Sequence, residues 1–104
     1  SDIDTNKQDK YGMTALIYAC NYSNTTSNNE TVKLLLNHAN IDINKQDNHG
    51  LTALMSACRY SSSSSNNETV KLLLNHPNID INKQDNNGWT ALMEACRFSN
   101  TYSN

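Results

Sequence analysis

The sequence predicts an all-α solenoid of stacked helix-loop-helix units joined by extended turns. Three observations predict it. A line reading Asn-Lys-Gln-Asp-x-x-Gly-x-Thr-Ala-Leu begins at Asn6, Asn44 and Asn82, a spacing of 38 residues. The chain's three glycines, Gly12, Gly50 and Gly88, keep that period, and so do its three cysteines, Cys20, Cys58 and Cys96. Between residues 1–38 and 39–76, 26 of 38 positions are identical, so the second block is a copy rather than a chance echo. Self-similarity of this size marks units that each need a neighbour to cover an apolar face. The 104 residues hold units 1–38, 39–76 and 77–104, the last without a second helix.

The second unit shows the order of elements most plainly. Thr52 is a good N-cap, and Leu54, Ala57 and Cys58 follow at helical spacing, which gives a short helix with one buried side. A polar stretch over residues 61–65 follows. Ser65-Asn-Asn-Glu68 then presents a capping box ahead of a second helix, as does Ser27-Asn-Asn-Glu30 one unit earlier. Val70, Leu72, Leu73 and Leu74 make that helix too apolar for a single solvated face, so it is expected to pack between neighbours. Pro77 and Asn78 end it, because the residue before proline is driven from helical geometry and Asn tolerates the left-handed region. His38 and His76 stand near the carbonyl end of this helix, where a cation is mildly favoured. Ile79-Asp-Ile-Asn82 alternates like a strand, and Asp85-Asn-Asn-Gly88 supplies turn chemistry in which the aspartate satisfies backbone amides.

On these residues the chain resembles the ankyrin repeat family over essentially its whole length. The family pattern Asp-x-x-Gly-x-Thr-Pro-Leu-His-x-Ala is matched by Asp47-Asn-His-Gly50-Leu-Thr52-Ala-Leu54-Met-Ser-Ala57, and the Val-x-x-Leu-Leu-Leu helix and Ala-Asp-Val-Asn segment by Val70 to Leu74 and Ile79 to Asn82. Three departures matter. Ala15, Ala53 and Ala91 replace the family's helix-starting proline. Ile17, Met55 and Met93 replace a histidine that links hydrogen bonds between units, so apolar contact is expected to stand in for polar bonding there. The unit is also about five residues longer than the usual 33, with about four of them between the helices and one before Ile79. These long interhelical loops read as tolerated surface insertions, which closure entropy penalises weakly.

A net charge of −2, with only 17% charged residues, gives no electrostatic reason to expect nucleic acid or an anionic membrane as partner. No apolar run is long enough to cross a bilayer and no signal peptide opens the chain, which points to an intracellular, cytoplasmic protein. In-register cysteines about 8–10 Å apart are too distant for disulfides and read as reduced, buried core residues. The turn aspartates are repeat mates rather than a close carboxylate pair, and no Cys-x-x-Cys occurs. The chain is therefore read as having no catalytic, cofactor or metal site.

What differs between copies marks positions the scaffold does not dictate. The differences gather at the turn tips Lys10-Tyr11, Asn48-His49 and Asn86-Asn87, after the turn glycine at Met13, Leu51 and Trp89, and on the first helix at Tyr18, Ser56, Glu94, Asn21, Arg59 and Arg97. The resemblance implies that turn tips and first helices line a concave groove that holds a protein or peptide partner. Tyr11, Met13, Tyr18, His49, Leu51, Arg59, Trp89, Glu94 and Arg97 are thus the candidate contacts. Trp89 is either an interface anchor flanked by Arg59 and Arg97 or, like Met13 and Leu51, a cover for the base of the next turn. Tyr22, Tyr60 and Phe98 repeat in kind and read as packing under the loop. The function expected is a non-enzymatic interaction module. The alternative is a self-associating element that stacks through repeat ends, because Leu92, Cys96 and Phe98 lose a partner where the third unit stops in its interhelical loop. That stop also suggests a fragment of a longer repeat protein.

Overall fold

The computed structural model describes residues 4–21, 26–59 and 64–103, and for residues 26–28, 64–66 and 98–103 the backbone only. Five helices run in order: α1 (Ala15–Asn21), α2 (Thr26–Leu36), α3 (Ala53–Arg59), α4 (Ser64–Leu74) and α5 (Ala91–Ser103). The first helices form one layer, with α3 between α1 and α5, and the second helices α2 and α4 form the other. Within a unit the two layers meet, α1 on α2 and α3 on α4. Thr14, Thr52 and Thr90 start the first helices, each hydroxyl accepting the N–H three residues on at 3.2, 3.2 and 3.3 Å. This is the N-cap geometry that their sequence position predicts.

The core lies where the layers and units meet, built from Leu16, Ile17, Cys20, Val32, Ile41, Ile43, Ala53, Leu54, Met55, Ala57, Cys58, Leu73 and Ala91. Ile17 and Met55, standing where the family has histidine, are fully buried, so apolar contact fills that position in both units. Helix α3 is buried along Ala53 to Cys58 because it is flanked on both sides. Burial at this position is lost at α5. Leu16 and Leu54 are 1% and 3% exposed, whereas their mate Leu92 is 73% exposed.

Several expectations are corrected. The second helices begin at Thr26 and Ser64, which makes Ser27 and Ser65 second helical residues rather than caps. No proline or glycine stands just upstream to stop the helix there. Of Val70, Leu72, Leu73 and Leu74 only Leu73 is fully buried, and Leu74 is exposed, because α4 turns one face to α2 and α3. Asp42 and Asp80 capture the N–H of Asn44 and Asn82 at 3.1 and 3.0 Å, bending the strand-like Ile79–Asn82 stretch into a turn, and the described residues contain no strand. Helix α5 runs on through residues 99–103, expected as loop, since no breaker interrupts it. Cys96 is exposed, unlike Cys20 and Cys58, because no described element covers that side of α5. The Nδ1 atoms of His38 and His76 lie 3.3 and 3.1 Å from the N–H of Asn40 and Asn78, so each ring sits against the turn that follows its helix. The loops at 23–25 and 61–63, and the side chains of Tyr22, Tyr60 and Phe98, lie outside the described residues.

The turns form a third layer, and it is hydrogen-bonded from unit to unit. Asn48 N–H donates to Tyr11 O and Asn86 N–H to His49 O, both at 3.0 Å. Asn6 Nδ2 donates to Asn40 O at 2.8 Å while its Oδ1 accepts Asp42 N–H at 2.7 Å, and Asn44 grips Asn78 O and Asp80 N–H in the same way at 2.8 Å each. Gln8 and Gln46 bridge to the carbonyls of Gln46 and Gln84 at 2.9 and 2.8 Å. Asn48 and Asn86 do the same to Lys10 and Asn48 at 2.9 Å each. Polar bonding between units is thus plentiful, but it runs through amides in the turns rather than through the helix position the family's histidine occupies.

Two measurements test this architecture. No cysteine forms a disulfide, and burial pushes the thiols of Cys20 and Cys58 up to about 12 and about 11, while the Cys20 thiol lies near Cys58 and the Cys58 thiol near Glu94. Ellman's reagent should therefore titrate one thiol in the native protein, Cys96, and all three in denaturant; native titration should vanish in Cys96→Ser. For the turns, Gly50 and Gly88 both sit at φ +82°, but a Cβ on Gly50 would lie 2.7 Å from the Asn86 backbone nitrogen, whereas on Gly88 it meets nothing nearer than 3.9 Å. Gly88→Ala should cost about 1–2 kcal/mol from the left-handed backbone alone. Gly50→Ala should cost more; equal urea midpoints for the two variants would refute close turn stacking.

Candidate functional site

Each turn is fixed by its aspartate. Asp9 Oδ1 accepts the N–H groups of Tyr11 and Met13 at 2.9 and 3.0 Å, Asp47 those of His49 and Leu51 at 2.9 Å each, and Asp85 those of Asn87 and Trp89 at 2.8 and 2.9 Å. The reversal closes with a backbone pair, the aspartate's own N–H donating to the carbonyl of Met13, Leu51 or Trp89. A carboxylate that accepts two amides holds the tip in one shape. The exposed tip residues Tyr11, His49 and Asn87 therefore stand one behind another at the period of the stack.

The candidate contacts separate into distinct environments. Tyr11 is exposed, with the Lys10 ammonium 5.2 Å from its ring centroid. His49 is exposed as well, and Tyr18 partly so. Met13 and Leu51 are half-buried and pack against the core. Their mate Trp89 is half-buried but not packed on the core, and the Arg97 guanidinium stacks 4.8 Å from its ring centroid. The structure thus gives Trp89 surroundings different from those of its two repeat mates, and it joins Trp89 to Arg97.

Position four of the first helix is partly exposed at Tyr18 and turns inward at Ser56 and Glu94. Tyr18 hydroxyl donates to Asp9 Oδ2, and this bond, followed by the Met13 and Tyr11 amides, holds the Asp9 carboxyl below its ordinary range. Ser56 and Glu94, expected on the partner-facing surface, are each only 1% exposed, because α3 and α5 close over this position. Glu94 Oε1 accepts Arg59 Nε–H at 3.4 Å across the boundary between units. Burial pushes the Glu94 carboxyl up; Arg59 opposes that, while the neighbouring Asp85 carboxyl, hydrogen-bonded to Glu94, adds to it. Burial also works against the charge on Asp85, but the Trp89 and Asn87 amides, Glu94 and Arg59 outweigh it and hold that carboxyl low. Every buried side-chain nitrogen and oxygen among the described residues has a hydrogen-bond partner.

Sequence reasoning missed this Asp85–Glu94–Arg59 cluster. The signal was nevertheless available. Arg59 lies one helical turn beyond Ser56, so it faces the residue equivalent to Ser56 in the next layer, which is Glu94. Among the described residues no three His, Cys, Asp or Glu side chains gather as metal ligands would, and no helix is long and apolar enough to cross a membrane.

Known proteins bear on this geometry. A family model described as ankyrin repeats (3 copies) matches residues 1–85 and 60–103. No curated protein sequence matches the chain. Among solved structures, the crystal structure of EF0377, an ankyrin repeat protein, matches with a TM-score of 0.82 at 33% identity, over 99% of this chain and 49% of that one. The chain therefore spans about half the length of that structure.

The electrostatics of Glu94 are testable by pH. A carboxyl held above its ordinary 4.5 binds more protons folded than unfolded, so its contribution to stability falls as pH rises past 4.5. Glutamine has no such dependence. The stability of Glu94→Gln relative to the parent should accordingly improve between pH 4.5 and 7, read from urea midpoints at each pH; a constant difference would show that Glu94 titrates as an ordinary carboxylate.

Proposed function

The chain belongs to the ankyrin repeat family, and from that premise we propose that it is a non-enzymatic module that captures a protein or peptide segment on the face formed by its turn tips and first helices. Ankyrin repeats are generally protein–protein interaction modules. The observation that carries the reading for this chain is the Trp89–Arg97 pair. A large aromatic ring stacked by a guanidinium is already held in place before a partner arrives, so little side-chain freedom remains to be lost on binding. Trp and Arg are the residue types that most often dominate interface energetics.

The rest of the face fits this role. Arg59 stands one unit away and is held by buried Glu94, which gives the surface a second positioned guanidinium. Glu94 itself is covered, so its part is to orient Arg59 rather than to touch the partner. Tyr11 and His49 extend the surface along the stacked tips, with Tyr18 beside them. Met13 and Leu51, packed inward, support the backbone from which the tips project. A partner segment carrying carboxylate or amide groups near an apolar side chain matches two guanidinium groups and an indole. We place the module inside the cell, where three cysteines without a disulfide are at home.

Affinity capture with mass spectrometry tests the proposal, using the parent chain and a Trp89→Ala/Arg97→Ala variant as parallel baits. A protein retained by the parent should be lost from the variant, with binding weakened by about 30-fold, the effect of removing roughly 2 kcal/mol at an interface anchor. Helicity and urea midpoint should stay close to those of the parent, since neither side chain belongs to the core. An identical captured set from both baits would remove the proposed face.

A further inference from the structure

Among the chain's many asparagines only Asn87 is followed by a glycine, at the tip of the turn that Asp85 anchors. The equivalent pairs in the other units are Tyr11-Gly12 and His49-Gly50, so this chemistry is peculiar to one tip. Asparagine is among the thermolabile residue types. It is most vulnerable ahead of glycine, because no Cβ on the following residue hinders the approach of that residue's backbone nitrogen to the side-chain carbonyl carbon, and the glycine backbone is free to make the approach.

The fold sets this amide apart from its neighbours. Asn6, Asn44, Asn48 and Asn86 each commit Nδ2 to a backbone carbonyl of an adjacent unit, at 2.8, 2.8, 2.9 and 2.9 Å, which holds the side-chain carbonyl carbon in place. The Asn87 side-chain amide makes no hydrogen bond among the described residues, and the residue is exposed. That exposure is a property of the tip rather than of place in the stack, because His49 is exposed in the same position with a turn on either side of its own. The Gly88 nitrogen is restrained by one bond, its N–H donating to Asp85 O at 3.0 Å. Opening that bond releases the nitrogen toward Asn87 Cγ.

We propose that Asn87 is a site of spontaneous covalent modification that converts it to aspartate and isoaspartate and so rebuilds the turn beneath Trp89. The Gly88 nitrogen attacks Asn87 Cγ and forms the C–N bond of a cyclic imide. The Cγ–Nδ2 bond breaks, and Nδ2 leaves as ammonia with the proton given up by the Gly88 amide. Solvent water then opens the imide. Addition at Cγ gives aspartate, and addition at the backbone carbonyl gives isoaspartate. Either product adds a carboxylate two residues ahead of Trp89. Isoaspartate also adds a methylene to the backbone between the amides of residues 87 and 89, which Asp85 Oδ1 accepts together at 2.8 and 2.9 Å. One oxygen no longer spans both amides, so the indole leaves its place 4.8 Å from the Arg97 guanidinium. Loss of the partner-binding face follows only if the function proposed above holds; the chemistry does not depend on it.

Ageing the folded 104-residue chain at physiological temperature and neutral pH, followed by peptide mapping with mass spectrometry, tests the proposal. The peptide that holds Asn87 should gain the mass difference between an amide and a carboxyl group, at least about tenfold faster than any other asparagine. Protein isoaspartyl methyltransferase should methylate part of the product. Asn87→Ser should abolish the gain and keep the parent's circular dichroism, since residue 87 is exposed and its backbone N–H bond to Asp85 is retained. Trp89 is the chain's one tryptophan, so its fluorescence should change in step with isoaspartate formation in the parent and stay constant in Asn87→Ser. The proposal is overturned if Asn87 of the folded chain stays intact over a period in which a free peptide of residues 80–95 is converted, because the turn would then protect the amide. Equal rates at the other asparagines would overturn it as well. The mass measurement involves no partner, so its outcome is independent of whether the partner-binding face exists.

Discussion

The stacking of the turns is the constraint on which the other features rest. Gly12 and Gly50 lie so close to the following turn that a Cβ on either would sit 2.5–2.7 Å from Asn48 or Asn86, and the φ values of +76° and +82° exclude most side chains as well. At that distance the tip N–H of one unit reaches the tip carbonyl of the unit before. The separation between units is thereby set by backbone hydrogen bonds before any helix contact is considered. Each first helix then meets its own repeat mate, and positions 38 apart become neighbours in space.

Much of the fold is legible in the sequence for that reason. Thr14, Thr52 and Thr90 could be read as caps, Leu16 and Leu54 as core, and the three aspartates as turn anchors, because each of these roles is settled within one unit or between identical neighbours. What could not be read is environment that depends on place in the stack. Leu16, Leu54 and Leu92 share one motif, yet the first two are buried and the third is 73% exposed. The same holds for Cys96 against Cys20 and Cys58. Local sequence specifies the unit, whereas burial is decided by what lies on either side.

The candidate site shows a related limit. Variation between copies pointed to position four of the first helix as surface, but Ser56 and Glu94 are both buried there. The variation is permitted by a different mechanism. Each residue type finds its own polar partner: Tyr18 reaches the turn aspartate of its unit, and Glu94 reaches both Asp85 and Arg59. A buried carboxyl without such partners would be costly, so the appearance of Glu at 94 is tied to Arg at 59 one layer away. The long-range amide ladders from Asn6, Gln8 and their mates were hidden for the opposite reason. Their invariance looked like part of the motif, and invariant Asn and Gln in a turn are ordinarily explained by local bonds.

Helix α5 concentrates the consequences. At 100° per residue, Leu92 and Ala95 fall on one side of the helix and Glu94 and Arg97 on the other. The first pair lines an apolar groove with Leu54 and Leu74, while the second belongs to the partner-facing cluster. Helix α3 is packed along both sides and buries six consecutive residues, but of the described side chains of α5 only Ala91 and Glu94 are buried. In a linear array, stability is a sum over nearest neighbours, so a helix with one neighbour is held less firmly than a helix with two. Arg59 therefore projects from α3, which is packed on both sides, whereas Arg97 projects from α5, which among the described elements packs mainly on α3, and Trp89 from the turn just ahead of it. Glu94 offsets part of this difference, because its contact with Arg59 ties the outer helix to the inner one at the point where the binding surface crosses from unit to unit.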